Sequence, residues 1–197
     1  FSQETRMQIY GDIYDDSMWL IKLVENLLSV TRIEDGRMDL RMSAELMDEV
    51  IAEAMRHTDR NRDGRKIEVS SDEEFILGKM DARLIVQVVI NLVDNAVKYT
   101  PEGAQIRIHT GKKDGMVVVS VSDTGPGIPD EQKSKVFDMF YTGTNRAADG
   151  RRSLGLGLGL CRSIIRAHGG EIWVSDNKPQ GAVFTFTLPA EEVTLHE

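Results

Sequence analysis

Between residues 3 and 35, the side chains at Tyr10, Ile13, Ser17, Leu20, Val24, Leu27 and Thr31 fall at alternating steps of three and four. Such spacing is a heptad seam on one long helix. Ile9, Ile21, Leu23, Leu28 and Val30 widen the apolar stripe beyond the need of a two-stranded coil, which suits a helical bundle. One helix cannot bury that stripe alone. It calls for partner helices, or for the face of the domain that follows. Glu34-Asp35-Gly36 predicts the helix end, with Gly36 at the C-cap.

The pattern then turns mixed. Residues 38–42 read as a short strand, and 44–57 as a helix with Leu46, Val50, Ile51 and Ala54 on its apolar face. Residues 66–70 and 75–78 are strand candidates around an acidic turn. Asp81 is placed to cap a helix reaching Tyr99, whose Leu84, Ile85, Val88, Val89 and Leu92 face a core. Residues 105–110 and 116–122 form a hairpin through Lys113-Asp114-Gly115. Residues 124–157 are rich in glycine and charge, with Phe137 and Phe140 three apart on a short helix. A helix over 158–168 ends at Gly169-Gly170. Strands at 171–175 and 182–188 are joined by Asn177-Lys178-Pro179-Gln180-Gly181. This order predicts an α+β two-layer sandwich, a mixed sheet packed on helices, preceded by one long bundle helix. The expected division is 1–37 for the leading helix, 38–190 for the domain and 191–197 for a tail.

Composition narrows the function classes. The formal net charge is −8, and no block of lysine or arginine stands out, so nucleic acid is not an expected partner. No run of ~20 apolar residues exists to span a membrane. The start, Phe1-Ser2-Gln3-Glu4, has neither an initiator methionine nor a signal peptide's features, so the chain is expected to be a piece of a longer protein. The single cysteine, Cys161, fits a reducing cytoplasm and excludes an internal disulfide.

Three short motifs carry candidate chemistry. Asn91 and Asn95 lie one helical turn apart, and Lys98 lies about one turn further on. Two carboxamide oxygens beside an ammonium suit a magnesium ion bridging nucleotide phosphates, although such pairs also face solvent or cap backbone. Asp123-Thr124-Gly125-Pro126-Gly127-Ile128 leaves the end of a strand in which Val117, Val119 and Val121 alternate. A carboxylate there can accept a hydrogen bond from an exocyclic amine such as adenine N6, and the glycines permit close backbone approach to a flat ligand. A plain glycine turn has the same spacing. Gly155-Leu156-Gly157-Leu158 opens a helix, where backbone N–H groups can meet phosphate oxygens. Small residues at a tight helix–sheet contact would read the same way. Between the last two motifs runs a long polar segment of the length that lids have. There Phe137 and Phe140 would pack at the hinge and Arg151 or Arg152 would point to phosphate, with Arg152 taken as the ligand contact.

In their fixed order these pieces resemble the histidine-kinase branch of the Bergerat-fold (GHKL) ATPases, over residues 38–190. The resemblance identifies 91–99 as the N box, 123–128 as the G1 box, 137–140 as the F box and 155–158 as the G2 box. It implies ATP and Mg2+ as cofactors. Asn95 would ligate the metal, Asn91 would share the metal and phosphate shell, and Lys98 would contact phosphate. Tyr99 would lie against adenine and Asp123 would bind its amino group. Gly125, Gly127 and Ile128 would shape the adenine pocket, Phe140 would belong to the lid, and Gly155, Leu156, Gly157 and Leu158 would hold phosphate. Residues 27–36 look like the end of the second helix of a dimerisation and phosphotransfer hairpin. From 19 to 36 and from 137 to 142 the chain is most similar to the Kdp-type potassium-sensor kinases.

That resemblance implies a cytoplasmic domain of an inner-membrane-anchored sensor, a homodimer through the bundle helix, and a response regulator as partner. Relatives of the gyrase type place a glutamate base where Asn91 stands. An amide is no general base, so the site would need a nucleophile such as a neutral imidazole. None of His57, His109, His168 and His196 has the sequence setting of a phosphoacceptor, so the chain is expected to bind ATP without phosphorylating itself. A nucleotide-binding regulatory module and an anti-sigma-type serine kinase remain alternatives. Three departures stand out: Ser153 where many relatives have the first G2 glycine, Gly159 where they often have alanine, and Ala182 where many have threonine. Gly159 should loosen its helix start by under ~1 kcal/mol.

Overall fold

The computed structural model describes residues 2–36, 39–58, 65–142 and 155–192, apart from the side chains of Trp19, Lys22 and Glu34. Helix α1, Gln3–Glu34, begins where the Ser2 hydroxyl accepts the Thr5 N–H at 3.1 Å. It ends at Asp35, followed by Gly36 in the left-handed conformation at φ +64°. Most of the seam, including Tyr10, Ile13, Leu20, Val24 and Leu27, is exposed. Only the last turns dock on the domain: Val30 is buried and Ile33 packs beside it.

Strand β1, Ser43–Leu46, pairs antiparallel with β3, Leu77–Met80. Between them lie helix α2, Met47–Thr58, and strand β2, Lys66–Ser71. The strand expected at 38–42 is absent from 39–42; residue 38 lies outside the described residues. Residues 43–46 extend instead because Leu46 and Ser43 have ladder partners in Leu77 and Met80, and a helix starting at Ala44 would forfeit that pairing. The third strand is likewise shifted two residues along from the expected 75–78, leaving Phe75 exposed.

Helix α3, Ala82–Tyr99, buries Ile85, Val88, Val89, Leu92, Val93 and Ala96. Asp81 stands at its N-cap without capping by its side chain. Its carboxylate accepts the Arg41 N–H at 3.1 Å and the Arg83 guanidinium at 3.2 Å. Arg41, 40 residues away, and the Arg83 side chain, two residues on, took the oxygen that local patterning assigned to the first-turn N–H groups.

Strands β4, Gln105–Lys113, and β5, Met116–Asp123, form the expected hairpin. Its two turn residues, Asp114 and Gly115, both have positive φ, as a type I′ turn demands. Helix α4, Asp130–Lys133, is one turn long. Helix α5, Gly157–Ala167, is followed by β6, Ile172–Asp176, and β7, Ala182–Pro189. The larger sheet runs β2-β4-β5-β7-β6, parallel between β2 and β4 and antiparallel elsewhere. Helices and sheet enclose one core centred on Leu92, Val119, Ile164 and Phe186. The architecture is the expected two-layer α+β sandwich with a mixed sheet.

The expected helix over Phe137 and Phe140 is not there: the helical turn lies earlier, at α4. Phe137 is buried edge-on against Phe184, with ring centroids 6.0 Å apart. Phe140 is exposed at φ +64°, a conformation that helix interiors never use, so it does not share Phe137's packing role.

Candidate nucleotide site

The alternation of β5 decides where the first candidate points. Val117, Val119 and Val121 are buried against the helices, and two residues on the same face carries Asp123 inward as well. Only 6% of Asp123 is exposed. Its Oδ1 accepts the Gly125 N–H at 2.8 Å and the Ala182 N–H at 3.3 Å. Among the described residues Oδ2 accepts none. Burial pushes the carboxyl above the usual carboxylate range, while the two backbone donors hold it back. A sequestered acceptor with one spare oxygen suits the amine of a base.

Gly125 is needed there because a Cβ would stand 2.9 Å from Asp123 Oδ1 and 3.1 Å from the Tyr99 carbonyl. This glycine brings the G1 segment against the end of α3. Gly127, at φ +76°, faces the Gly181 carbonyl across the opening of β7, and Ile128 packs on the core beside it. The end of α3 is itself fixed: the Thr100 hydroxyl donates to the Ala96 carbonyl at 2.6 Å, and Arg65 donates to the Thr100 carbonyl at 2.7 Å.

On α3, Asn91 and Asn95 are both half-buried. Asn91 Nδ2 donates to the Gly157 carbonyl at 3.4 Å, and Asn91 Oδ1 accepts from Gln87 at 3.2 Å. The amide of Asn95 makes no hydrogen bond among the described residues. The Lys98 ammonium lies 5.0 Å from the centroid of the exposed Tyr99 ring.

Leu156 and Leu160 plug the core while Gly157 stays at the mouth of α5. Gly155 has φ +65° and sits on the Tyr141 backbone, where its carbonyl accepts the Phe140 N–H at 3.1 Å. Leu158 is half-buried on the core. Gly159 does more than loosen the helix: Met139 occupies the space a Cβ would take, so the glycine seats the 137–140 segment on α5. Arg151, Arg152 and Ser153 lie outside the described residues. So does His196.

The structure therefore brings together Asn91 with Gly157, and Gly125 with Asp123 and the Tyr99 carbonyl, while Gly127 stands against Gly181. Four contributors escaped the sequence reading. Gln87, one turn before Asn91, was readable as an i,i+4 amide pair. Asn177 and Gly181 touch Asp123 only through the fold, and Lys133 reaches Asp176 at the head of their turn; nothing local signals these contacts. The histidines lie elsewhere. His57 is exposed beside Glu53, His109 joins Ser70 and Asp72 on the sheet's outer face, and His168 is buried at the end of α5. Cys161, its thiol pushed up to about 12 by burial, is no nucleophile at neutral pH.

The donor chemistry limits the metal. Among the described residues no three His, Cys, Asp or Glu side chains gather to hold a cation by themselves. Two neutral amide oxygens fit a hard ion that keeps most of its shell on phosphate and water, as Mg2+ does. The residues thus suit nucleotide-borne magnesium rather than a free-standing metal centre.

Comparison with known proteins identifies the family. The family described as "Histidine kinase-, DNA gyrase B-, and HSP90-like ATPase" matches residues 80–192. The sensor protein KdpD of Clostridium acetobutylicum is 40% identical over 96% of this chain, which spans 21% of that protein. Full-length ShkA, solved in complex with AMPPNP, superposes with a TM-score of 0.81 at 25% identity, covering 98% of this chain and 40% of ShkA. The histidine kinase ThkA, solved with response regulator protein TrrA, gives a TM-score of 0.76 at 30% identity over 97% of this chain and 53% of that one. With the matched segment holding Asn91, Asn95, Asp123 and Gly157 in one fold, the chain belongs to the histidine kinase, gyrase B and HSP90-like ATPase family.

Proposed function

We propose that this chain is the ATP-binding catalytic part of a sensor histidine kinase, and that it hands the ATP γ-phosphoryl to a histidine on a dimerisation helix. The observation that carries the reading is the seating of an amide, Asn91, against the Gly157 carbonyl at the head of α5. That position joins the metal-binding face of α3 to the phosphate-binding turn and offers no base. A site without a base does not activate water; it positions a phosphoryl group for a nucleophile brought to it.

In this reading Asp123 Oδ2 accepts the adenine amine, and Gly125 and Gly127 keep the adjoining backbone flat against the base. The Tyr99 ring covers one side, and Phe140, already outside the core, is available to the lid. Gly155, Leu156, Gly157 and Leu158 direct N–H groups at phosphate, and Arg152 adds charge. Asn91 and Asn95 would hold Mg2+, which neutralises phosphate charge when bound. Lys98 supplies a second positive charge beside it.

The match covers only part of the length of the curated relatives. It spans about a fifth of the KdpD-type relative, so partners and anchoring belong to the proposal. Residues 1–37 serve as the second helix of a dimerisation hairpin, 38–190 as the catalytic domain and 191–197 as a tail. A homodimer forms through the exposed seam of α1, a response regulator receives the phosphoryl group, and a membrane anchor lies outside this sequence. Among the described residues no helix is long and apolar enough to cross a membrane.

The test supplies the missing hairpin in trans. The purified chain is mixed with γ-labelled ATP, Mg2+ and a dimerisation hairpin carrying its acceptor histidine. Acid-labile label should appear on the hairpin and none on this chain. ATP binding with no label on any hairpin histidine would favour a regulatory module, and label on this chain alone would overturn the transfer scheme.

A further inference from the structure

At Asp123 strand β5 keeps its β4 neighbour, Ile106, but has run past the end of its ladder to β7. Its ladder to β7 ends at the Ser122–Val183 pair, one residue short of Asp123. The next position on the β7 side is taken by the turn after β6. There Asn177 Nδ2 donates to the Asp123 carbonyl at 2.7 Å. The same side chain accepts the Lys178 N–H on Oδ1 at 2.9 Å, and the Asn177 N–H donates to the Gly181 carbonyl at 2.9 Å. So the residue closes its turn through its backbone N–H, while its side chain bonds the Asp123 carbonyl where β7 supplies no ladder bond.

Other contacts lead to the same carboxylate. Ala182, first residue after the turn, donates to Asp123 Oδ1 at 3.3 Å. Gly181, at φ +125°, lies so close on the Asp123 carbonyl that a Cβ would overlap it. Gly127 approaches the Gly181 carbonyl from the other side. Beyond it, Lys133 donates to Asp130 at 2.5 Å and to Asp176 at 2.8 Å, tying α4 to the start of the turn. The base-binding segment and the β6–β7 turn therefore form one rim.

We propose that Asn177 is a positioning residue for the base subsite: by holding the Asp123 carbonyl it fixes where Oδ2 meets the exocyclic amine, and so sets adenine selectivity. This rests on the nucleotide reading above. A buried acceptor discriminates between bases only while its geometry holds to about 0.5 Å; Asp123 is paired with Ile106 of β4 on one side, and on the β7 side Asn177 stands where a ladder partner would.

The test compares Asn177→Ala and Asn177→Asp with wild type by isothermal titration of ATP, GTP and tripolyphosphate, each with Mg2+. Asn177→Asp keeps an oxygen for the Lys178 N–H but replaces the donor to the Asp123 carbonyl with a carboxylate oxygen that repels it. Both variants should lose about tenfold in ATP affinity, the worth of one buried hydrogen bond, with GTP and tripolyphosphate little changed and the thermal midpoint within a few degrees. Amide exchange at Ala182 should quicken in both. Equal losses for ATP and tripolyphosphate, or Asn177→Asp binding ATP like wild type, would overturn the role of Asn177 and leave the nucleotide reading standing. Wild type failing to bind ATP would overturn the nucleotide reading and the base subsite with it.

Discussion

The Asn91 side chain donates to the Gly157 carbonyl at 3.4 Å, so the face of α3 proposed to hold the metal and the first turn of α5 meet at one residue pair. The two G2 glycines stand differently around that meeting. At Gly157 a Cβ would make only ordinary contact, 3.8 Å from Asn91, and alanine in a helix is favoured over glycine by up to ~1 kcal/mol. Gly157→Ala should fold as well as wild type yet bind ATP more weakly, because the added methyl stands where phosphate approaches. Gly155→Ala should lose stability by ~1–2 kcal/mol from its left-handed φ alone, and more from overlap with the Tyr141 backbone. Urea unfolding beside ATP titration separates the pair. Equal ATP affinity in Gly157→Ala and wild type would remove Gly157 from the phosphate site.

Asn95 offers a cleaner probe of the metal than Asn91, whose amide also joins two helices. The Asn95 side chain is half-buried and makes no hydrogen bond among the described residues, so Asn95→Ala should cost under ~0.5 kcal/mol of stability. Its effect should fall on the ion: ATP affinity in millimolar Mg2+ drops to the level measured in chelator. Titrating ATP with and without Mg2+ checks this, and an undiminished Mg2+ effect would withdraw the ligand assignment.

Asp123→Asn tests the base contact. Burial already pushes this carboxyl up, so a neutral amide costs the fold little, and Asn Oδ1 can still accept from Gly125 and Ala182. The lost function is at Oδ2, where an NH2 group now meets the adenine amine donor to donor. ATP affinity should fall tenfold or more, ~1.4 kcal/mol, and the preference for ATP over GTP should shrink. Parallel losses for both nucleotides would place the acid outside the base subsite.

Local pattern was enough for parts of this site. The alternation of Val117, Val119 and Val121 predicts that Asp123 turns inward, and the i,i+4 spacing predicts that Asn91 and Asn95 share a face; both are properties of a single element. The hairpin through Asp114 and Gly115 was readable because its turn type demands those residues. What failed was set by partners far along the chain. Asp81 looked like a helix cap, but Arg41 competes for its carboxylate from 40 residues away. Residues 44–46 read as helical, yet β3 offers them a ladder. Asn177 looked like turn filler, and its bond to Asp123 spans 54 residues. Phe137 and Phe140 share a helical spacing that a glycine contact at Gly159 and a left-handed Phe140 overrule.

His168 gives a pH prediction. Buried at the end of α5, it donates from Nδ1 to the Ile164 carbonyl at 2.8 Å and accepts the Asp81 N–H on Nε2 at 3.0 Å. Only the neutral ring can do both, since a proton on Nε2 would face the Asp81 N–H. Burial lowers its pKa below 6.5, opposed by the Ile164 carbonyl and the Asp81 carboxylate. Arg83, 3.2 Å from the Asp81 carboxylate, offsets part of that charge. The unfolded chain therefore takes up this proton at a higher pH than the folded one. His168 contributes its full stability above pH 6.5, and that contribution shrinks as pH falls through 6.5 toward the lowered folded value. Urea midpoints of wild type between pH 7.5 and 5.5 should decline, and His168→Gln should start lower but decline less over the same range. Identical slopes in the two proteins would show that His168 is not the group taking up the proton.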